Sequence, residues 1–333
     1  MGLEGQDFRT VLPLGEYPFR ISHTDPIVCW GSCFAEHMAQ KMQSAKFDTL
    51  LNPLGITYNP DSIGQGIKQT LAGEALRKES LFAANGLWHS FDFHSRFSHP
   101  SQDTALAAMN SSIAKAHSFW QQAKVLIVTL GTATAFRTLQ EGQVVNNCHK
   151  LPANVFVKTR LDMGEMQERL GQVFSRLKEK QQELQIILTV SPVRHIKDGL
   201  VENQRSKATL LLLAEQLENN LDFVHYFPAY ELVIDDLRDY RFFEPDLVHP
   251  NGVAVNYVWQ YFQQSFFTTE TQQLMKRIRS IVQASQHRPF HPKTSQHQQF
   301  LAQQLKKIAE LKREYPALDF SEEESQFNHQ IIS

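Results

Sequence analysis

The run Val125-Leu126-Ile127-Val128-Thr129-Leu130 constrains this chain more than any other feature. A nearly continuous apolar run of this length reads as a strand buried on both faces, and such strands belong in a parallel sheet covered by helices. Similar runs recur at Ile27–Trp30, Phe47–Leu51, Ile186–Val190 and Phe223–Phe227. Between them lie stretches with apolar residues at helical spacing: Phe34, Met38 and Met42, then Ala105–Trp120, Met163–Leu177, Ala208–Leu217 and Val253–Phe266. The last is entered through Pro250, Asn251 and Gly252, a helix-start pattern. The alternation predicts an α/β fold with five parallel strands.

Three stretches break this rhythm. Residues 76–100 hold Trp88-His89-Ser90-Phe91-Asp92-Phe93-His94, an alternation that predicts a β-hairpin or a lid. Residues 132–160 predict a hairpin turning at Glu141-Gly142. From residue 268 the composition shifts to Gln, His, Lys and Glu around a stripe of Leu301, Leu305, Ile308 and Leu311. The expected organisation is therefore an α/β domain over 1–267 and a helical, polar extension over 268–333. An isolated stripe needs a surface to cover, so the extension is expected to pack outside the core or against a protein partner.

With 333 residues, 42% apolar and 20% charged, the chain can bury a sizeable core without staples. A net charge of −2 gives no field directed at nucleic acid. The cysteines are Cys29, Cys33 and Cys148, too few and odd in number for a disulfide framework, which points to a reducing compartment. Met1-Gly2-Leu3-Glu4-Gly5-Gln6 has neither the basic and apolar regions of a signal peptide nor the Ser or Thr of a myristoylation site. No run reaches the ~20 apolar residues of a membrane span. A cytoplasmic location is expected.

In an open parallel sheet, ligands bind beyond the carboxyl ends of the strands. The residues that follow the strands are therefore the place to search. They are Gly31-Ser32-Cys33 after the first and Asn52-Pro53-Leu54-Gly55 with Asn59 after the second. Gly131-Thr132 follows the third, Arg194-His195 the fourth, and Asp246-Leu247-Val248-His249 precedes the last core helix. Gly31 permits a tight strand-to-helix turn, and a helix N-terminus favours an anion, so a nucleophile at Ser32 or Cys33 is plausible chemistry and a Cys33 thiol is expected to have a depressed pKa. Asp246 and His249 have the spacing for an orienting carboxylate and a general base. Gly55, Asn59 and Gly131 are candidate oxyanion donors or points of close substrate approach, while Arg194 and His195 suit an anionic or hydroxyl-rich substrate. Each of these types is also common in ordinary turns and caps. Cys148 and His149 raise the thought of zinc, but no Cys-x-x-Cys or His-Glu-x-x-His accompanies them, so neither metal nor cofactor is expected. Gly64-Gln65-Gly66 lacks the rest of a nucleotide fingerprint.

Trp30-Gly31-Ser32-Cys33-Phe34-Ala35 carries the signature of the GSCFA family, which resembles the SGNH/GDSL esterase superfamily. The resemblance continues through Asn52-Pro53-Leu54-Gly55, Tyr58-Asn59-Pro60, Leu130-Gly131-Thr132-Ala133 and Asn147-Cys148-His149-Lys150. It runs on through Thr189–His195, Asp198-Gly199, Glu202-Asn203, Ser206-Lys207-Ala208, Leu237–Arg241 and Asp246–Pro250, covering roughly 8–265. It implies a flavodoxin-like, three-layer α/β/α fold and an esterase or O-acyltransferase. The nucleophile would be Cys33 or Ser32, His249 the base and Asp246 its partner. The Ser32, Cys33 and Gly55 amides would face the oxyanion. The third block departs from the superfamily pattern, with Gly131-Thr132-Ala133 where Gly-x-Asn is usual, and ungapped alignment places Cys33 at the nucleophile position. The expected substrate is a small-molecule or glycan acyl ester. The alternative expectation is a binding module that keeps the fold without the chemistry.

Overall fold

The computed structural model describes residues 9–331, so the stretch Met1–Gln6 lies outside the described residues. In chain order, β1 (Ile27–Gly31) leads to α1 (Cys33–Ser44), β2 (Thr49–Leu51) and α2 (Pro60–Ala72). The hairpin β3 (Phe82–Ala84) and β4 (Leu87–His89) precedes α3 (Gln102–Trp120) and β5 (Val125–Leu130). Next come β6 (Thr134–Thr138), β7 (Val144–Val145), β8 (Phe156–Arg160) and α4 (Met163–Lys180). The sequence β9 (Gln185–Val190), α5 (Leu200–Asn220), β10 (Val224–Tyr226) and the short α6 (Ala229–Glu231) follows. The chain closes with α7 (Gly252–Phe266), α8 (Thr269–Ser285), α9 (Ser295–Glu314) and α10 (Ser321–Asn328).

The main sheet has the order β2-β1-β5-β9-β10, with every pairing parallel. Counted by their place in the sheet this is 2-1-3-4-5, the flavodoxin-like order, in which the chain changes direction between β1 and β5. Alternation along each strand assigns its side chains to two cores. Val28, Trp30, Leu126, Val128, Ile186 and Leu188 face α2, α3, α4 and α5. Ile27, Cys29, Val125, Ile127 and Ile187 face α1 and α7. Helices thus cover both faces, giving the three layers. Burial of each such aliphatic side chain contributes ~1.5–3 kcal/mol, which is why β5 tolerates no run of polar residues.

The elements differ from the sequence reading where local chemistry intervenes. Phe47 stays out of β2 because its amide closes the end of α1 on the Met42 carbonyl at 3.1 Å. Helix α2 was hidden by Gly64 and Gly66, yet it has a start and a stop in Asn59, Pro60 and Gly73. Gly66 is needed there, since a Cβ would sit 2.6 Å from the Trp30 ring. Helix α5 begins at Leu200 rather than Ala208, because its first turns bury the polar Asn203, Ser206 and Lys207 instead of an apolar stripe. The hairpin of the first irregular stretch turns at Asn85-Gly86, both at positive φ, ahead of the segment expected to form it. The second stretch forms a three-stranded antiparallel sheet, β7-β6-β8, with Gly142 at positive φ in the turn.

Beyond α7 the stripe of α9 finds its surface within the same chain. Leu301, Ile308 and Leu311 pack with Leu274, Ile278 and Ile281 of α8 and Phe327 of α10. Met275 of α8 joins the core under the main sheet, and Lys46, just past the end of α1, pairs with Glu323 at 2.8 Å.

Candidate functional site

The turn after β1 is fixed by the neighbouring strands. Gly31 has φ +139, and a Cβ there would lie 2.2 Å from the Thr129 carbonyl of β5, so only glycine fits. Its amide donates to Asn52 Oδ1 at 2.8 Å and its carbonyl accepts from the Thr57 amide at 3.0 Å. The Ser32 amide donates to the Thr129 carbonyl at 3.2 Å. Ser32 is fully buried at the N-cap of α1, but its hydroxyl makes no capping bond and has no partner. Cys33 opens the helix and is half-buried.

The expectation of a depressed Cys33 pKa is overturned. Burial pushes the thiol up, and the amides of Cys33 and Phe34 and the Lys207 ammonium offset this only in part, while Glu36 pushes it up further. The oxyanion donors also need correction. The Gly55 amide is spent on the Asn52 carbonyl at 2.8 Å, and the Gly131 and Thr132 amides both reach the Tyr58 carbonyl, at 2.7 and 3.0 Å. With the Ser32 amide engaged as well, the amides that act on the thiol, by lowering its pKa, are those of Cys33 and Phe34. Asn59 is a helix cap: its Oδ1 accepts from the Ser62 amide at 2.9 Å and its Nδ2 donates to Ser62 Oγ at 3.0 Å. Asn52 keeps a buried Nδ2 with no partner beside the turn that its Oδ1 holds. Thr132 Oγ1 lies 3.1 Å from Ser206 Oγ.

Asp246 and His249 form a hydrogen-bonded pair. His249 Nδ1 meets Asp246 Oδ2 at 2.7 Å, while Asp246 Oδ1 accepts from the Val248 and His249 amides at 2.9 and 3.0 Å. These bonds hold the carboxyl down at about 2, with the His249 amide the largest cause. A carboxylate on Nδ1 leaves Nε2 as the free, basic nitrogen. Leu247 between them sits at φ +58, strained for a residue with a γ-branched side chain. The Arg194 amide donates to the Val248 carbonyl at 3.3 Å, which ties this loop to the carboxyl end of β9.

Arg194 itself is a tether rather than an open anion site. Its guanidinium lies over Phe243 and Tyr240, at 4.6 and 5.1 Å from the ring centroids. His195 packs against Tyr58 edge-on at 5.6 Å, and its Nε2 is buried without a partner. Burial, then Lys207, pushes the His195 pKa down to about 4, so the ring is neutral near pH 7. His149 does not join this group. It lies against His89 in the irregular region, the ring centroids 4.3 Å apart and the planes tilted, with Nε2 on the Ser90 carbonyl at 2.7 Å and Nδ1 beside Ser95 Oγ at 3.2 Å.

Lys207 was not singled out from the sequence. It is 1% exposed, and its Nζ donates to the Gly131 and Ser191 carbonyls, both at 2.7 Å, bridging the carboxyl ends of β5 and β9. The signal was present: Lys207 precedes Leu210, Ala214 and Leu217 at helical spacing and so lies on the buried stripe of α5.

His249 and Asp246 line an open cavity of about 600 Å3 with His37, Lys41 and Glu244. Thr132, His195, Lys158, Arg160 and Ser206 line another of about 330 Å3. Cys33 lines neither of these two. A wider depression of about 1200 Å3 runs along α2 and α4, where Arg137 and Arg169 flank Asp61, but no histidine or cysteine borders it. Among the described residues no cluster of three or more His, Cys, Asp or Glu is arranged to hold a metal, and no helix is long and apolar enough to cross a membrane.

The fold is thus that of a flavodoxin-like α/β protein with the Gly31-Ser32-Cys33 turn and the Asp246–His249 pair in the loops beyond the strand ends. The model of the GSCFA family matches residues 26–262, and the chain belongs to that family. A second model, described as the C-terminal domain of GSCFA domain proteins, matches residues 267–333. No curated protein matches the sequence.

Proposed function

We propose that the protein is a carboxylic-ester hydrolase or O-acyltransferase acting on an acylated carbohydrate, with Cys33 as nucleophile, His249 as general base and Asp246 as its orienting partner. The observation that carries this reading is the 2.7 Å Asp246–His249 bond at the sheet edge where α1 begins. Cys33 is favoured over Ser32 by access, since the serine hydroxyl is fully enclosed and the thiol is half-buried. In the first half-reaction Sγ attacks the acyl carbon, the C–S bond forms, the ester C–O bond breaks, and the alcohol leaves with the proton the thiol gave up. The developing oxyanion is met by the Cys33 and Phe34 amides. In the second, His249 Nε2 takes a proton from water or an acceptor hydroxyl, which attacks the thioester and releases an acid or a new ester. The cavities that His249 and His195 line carry charged and hydroxyl side chains, which suits a hydroxyl-rich substrate better than a long acyl chain. Free Cys29, Cys33 and Cys148 fit a reducing compartment, and the cytoplasm is the proposed location.

The second reading is a binding module. It is favoured by the absence, among the described residues, of any hydrogen bond between Cys33 and His249, a gap of the kind that a Michaelis complex commonly closes in an enzyme. Full-length protein assayed on chromogenic acetyl esters and on acetylated sugars separates the two. Cys33→Ala and His249→Ala should each abolish turnover, and Ser32→Ala should keep a substantial part. Turnover that survives both of the first two substitutions overturns the proposal, as does a wild-type protein that binds the sugars and cleaves none of them.

A further inference from the structure

Cys33, Asp246 and His249 do not border the depression along α2 and α4, and the charges that do border it are out of balance. The two helices lie side by side on the face of the sheet away from α1 and α7, and Gly64 and Ala72 leave the floor between them without bulk. Near the start of α2, Asp61 Oδ2 is held by Arg169 Nη1 of α4 at 2.6 Å and by Arg137 Nη2 of β6 at 3.5 Å. Seven residues further along each helix, about 10 Å of rise, stand Lys68 and Arg176, and Arg77 joins them from the segment after α2. Among the described residues these three cations make no hydrogen bond and no ion pair.

The carboxylates of the lining do not offset them. Asp61 is already shared by two arginines. Asp92 accepts from Gln65 Nε2 at 3.0 Å, and burial pushes its pKa up to about 6. Glu74 alone remains against Lys68, Arg77 and Arg176. On an ordinary surface the two signs are interspersed. Like charges gathered round a hollow repel one another and focus a positive field into it, and a bound anion relieves that repulsion. The rest of the lining says what else the anion carries. Gln65, Gln69, Gln143 and Gln172 border the groove, and an amide offers both a donor and an acceptor to a hydroxyl. Among the described residues no aromatic side chain borders it, so nucleic-acid bases have no platform to stack on. A volume of about 1200 Å3 leaves room for a ligand of several rings.

We propose that this groove is a second binding site, for an anionic carbohydrate whose carboxylate or phosphate is held by Lys68, Arg77 and Arg176 and whose hydroxyls meet the glutamine amides. The site stands apart from the ester chemistry proposed for Cys33 and His249, since neither residue lines it.

The test is isothermal titration calorimetry of the full chain with trigalacturonate, glucose 1-phosphate and neutral maltotriose, at about 50 mM and about 300 mM salt. At least one of the two anionic sugars should bind about tenfold or more tightly than maltotriose, and its affinity should fall several-fold at the higher salt. The one that binds names the anionic group. Lys68→Gln, Arg77→Gln and Arg176→Gln combined should weaken it about tenfold or more. Lys306→Gln, Lys307→Gln and Arg313→Gln, an equal loss of charge on α9, should leave it within about twofold. Should the first triple variant not fold, Arg176→Glu alone should weaken binding about tenfold, and an unchanged affinity there overturns the site. Failure of both anionic sugars to bind overturns it too, as does equal binding of maltotriose or an equal loss in the two triple variants. Inorganic phosphate that binds as tightly as glucose 1-phosphate, with no binding of trigalacturonate, overturns the carbohydrate. None of these readouts needs turnover. A protein that binds an anionic sugar in the groove and cleaves no ester keeps this site and loses the proposed function, and one that cleaves esters but binds neither sugar does the reverse.

Discussion

The turn after β1 and the loop before α7 carry the two halves of the candidate site, and they are built in opposite ways. At Gly31 and Ser32 the backbone groups bond to neighbouring segments, to Asn52, Thr57 and Thr129, and the side chains are enclosed. At Asp246–His249 the bonds are mostly local. Asp246 Oδ1 gathers the Val248 and His249 amides, the Leu247 amide returns to the Glu244 carbonyl at 2.8 Å, and the Asp246 and His249 side chains stay partly exposed. The difference teaches that the place of Cys33 is set by the sheet, whereas the place of His249 is set by a loop folded on itself and tethered by Arg194. Substitutions that disturb the backbone of the turn should therefore act on stability, and truncation of His249 in the loop on turnover.

The largest effect is expected at Gly31. A Cβ within 2.2 Å of a β5 carbonyl cannot be relieved by a side-chain rotation, so Gly31→Ala should destabilise by about 3 kcal/mol or more, or prevent folding. His249→Ala, in the exposed loop, should shift stability by less than about 0.5 kcal/mol while abolishing turnover. Urea titration of the two variants checks this, and equal stability losses would erase the contrast.

Next in size is the tether. Arg194→Ala removes the stack on Phe243 and Tyr240 and the bond from Nη1 to the Tyr240 hydroxyl at 3.3 Å. The expected outcome is a loss of about 1 kcal/mol in stability and a roughly tenfold fall in kcat with little change in KM. Arg194→Lys should not restore kcat, because an ammonium cannot reproduce a planar stack. A fall in KM-controlled binding instead would return Arg194 to the role of substrate ligand.

These two regions were unequally legible in the sequence. The sheet was readable because Val125–Leu130 and Ile186–Val190 admit one interpretation, and the strand ends then pointed to Gly31, Gly131 and Asp246–His249. What the sequence hid was the use of each hydrogen-bonding group. Gly55, Asn59 and Gly131 have the residue types of a binding edge, yet their amides or side chains are occupied by Asn52, Ser62 and Tyr58. Such bonds join residues distant in sequence or depend on backbone angles, and residue type does not encode them. Lys207 was missed for the complementary reason, since a lysine on a helix is ordinarily solvated and only its place on the stripe of α5 marks it as buried. The thiol pKa was misjudged because the helix N-terminus was weighed without the burial that opposes it.

A smaller effect separates the buried side of the site from the exposed one by acid. The folded His195 pKa is about 4 against 6.5 for the ordinary ring, with burial and then Lys207 as causes. The unfolded chain thus binds more protons between these values, so this residue's contribution to stability is present above pH 6.5 and is lost as the pH falls through the window to 4. His195→Gln should retain more of its neutral-pH Tm at pH 4.5 than the wild type does. A Tm drop of the same size in both would show that the ring is not held neutral in the folded state.

The smallest expected effect is also the most direct probe of the loop. Leu247 holds φ +58 with its side chain 51% exposed, so leucine gains little there by packing and bears the strain of the left-handed region. The strain persists because Asp246 Oδ1 draws in the Val248 and His249 amides and closes the loop tightly. Asparagine tolerates the same backbone angles and leaves both of those bonds in place, without glycine's extra freedom in the unfolded chain. Leu247→Asn should therefore stabilise the protein by about 0.5–1 kcal/mol, read as a rise in Tm of ~1–4 °C. Because the Asp246–His249 bond is untouched, ester turnover should stay within about twofold of the wild type. A lower Tm would mean that the leucine side chain, and not the backbone angle, governs this position. A large loss of turnover with the Tm raised would mean that the strained loop itself holds His249 where the base must stand.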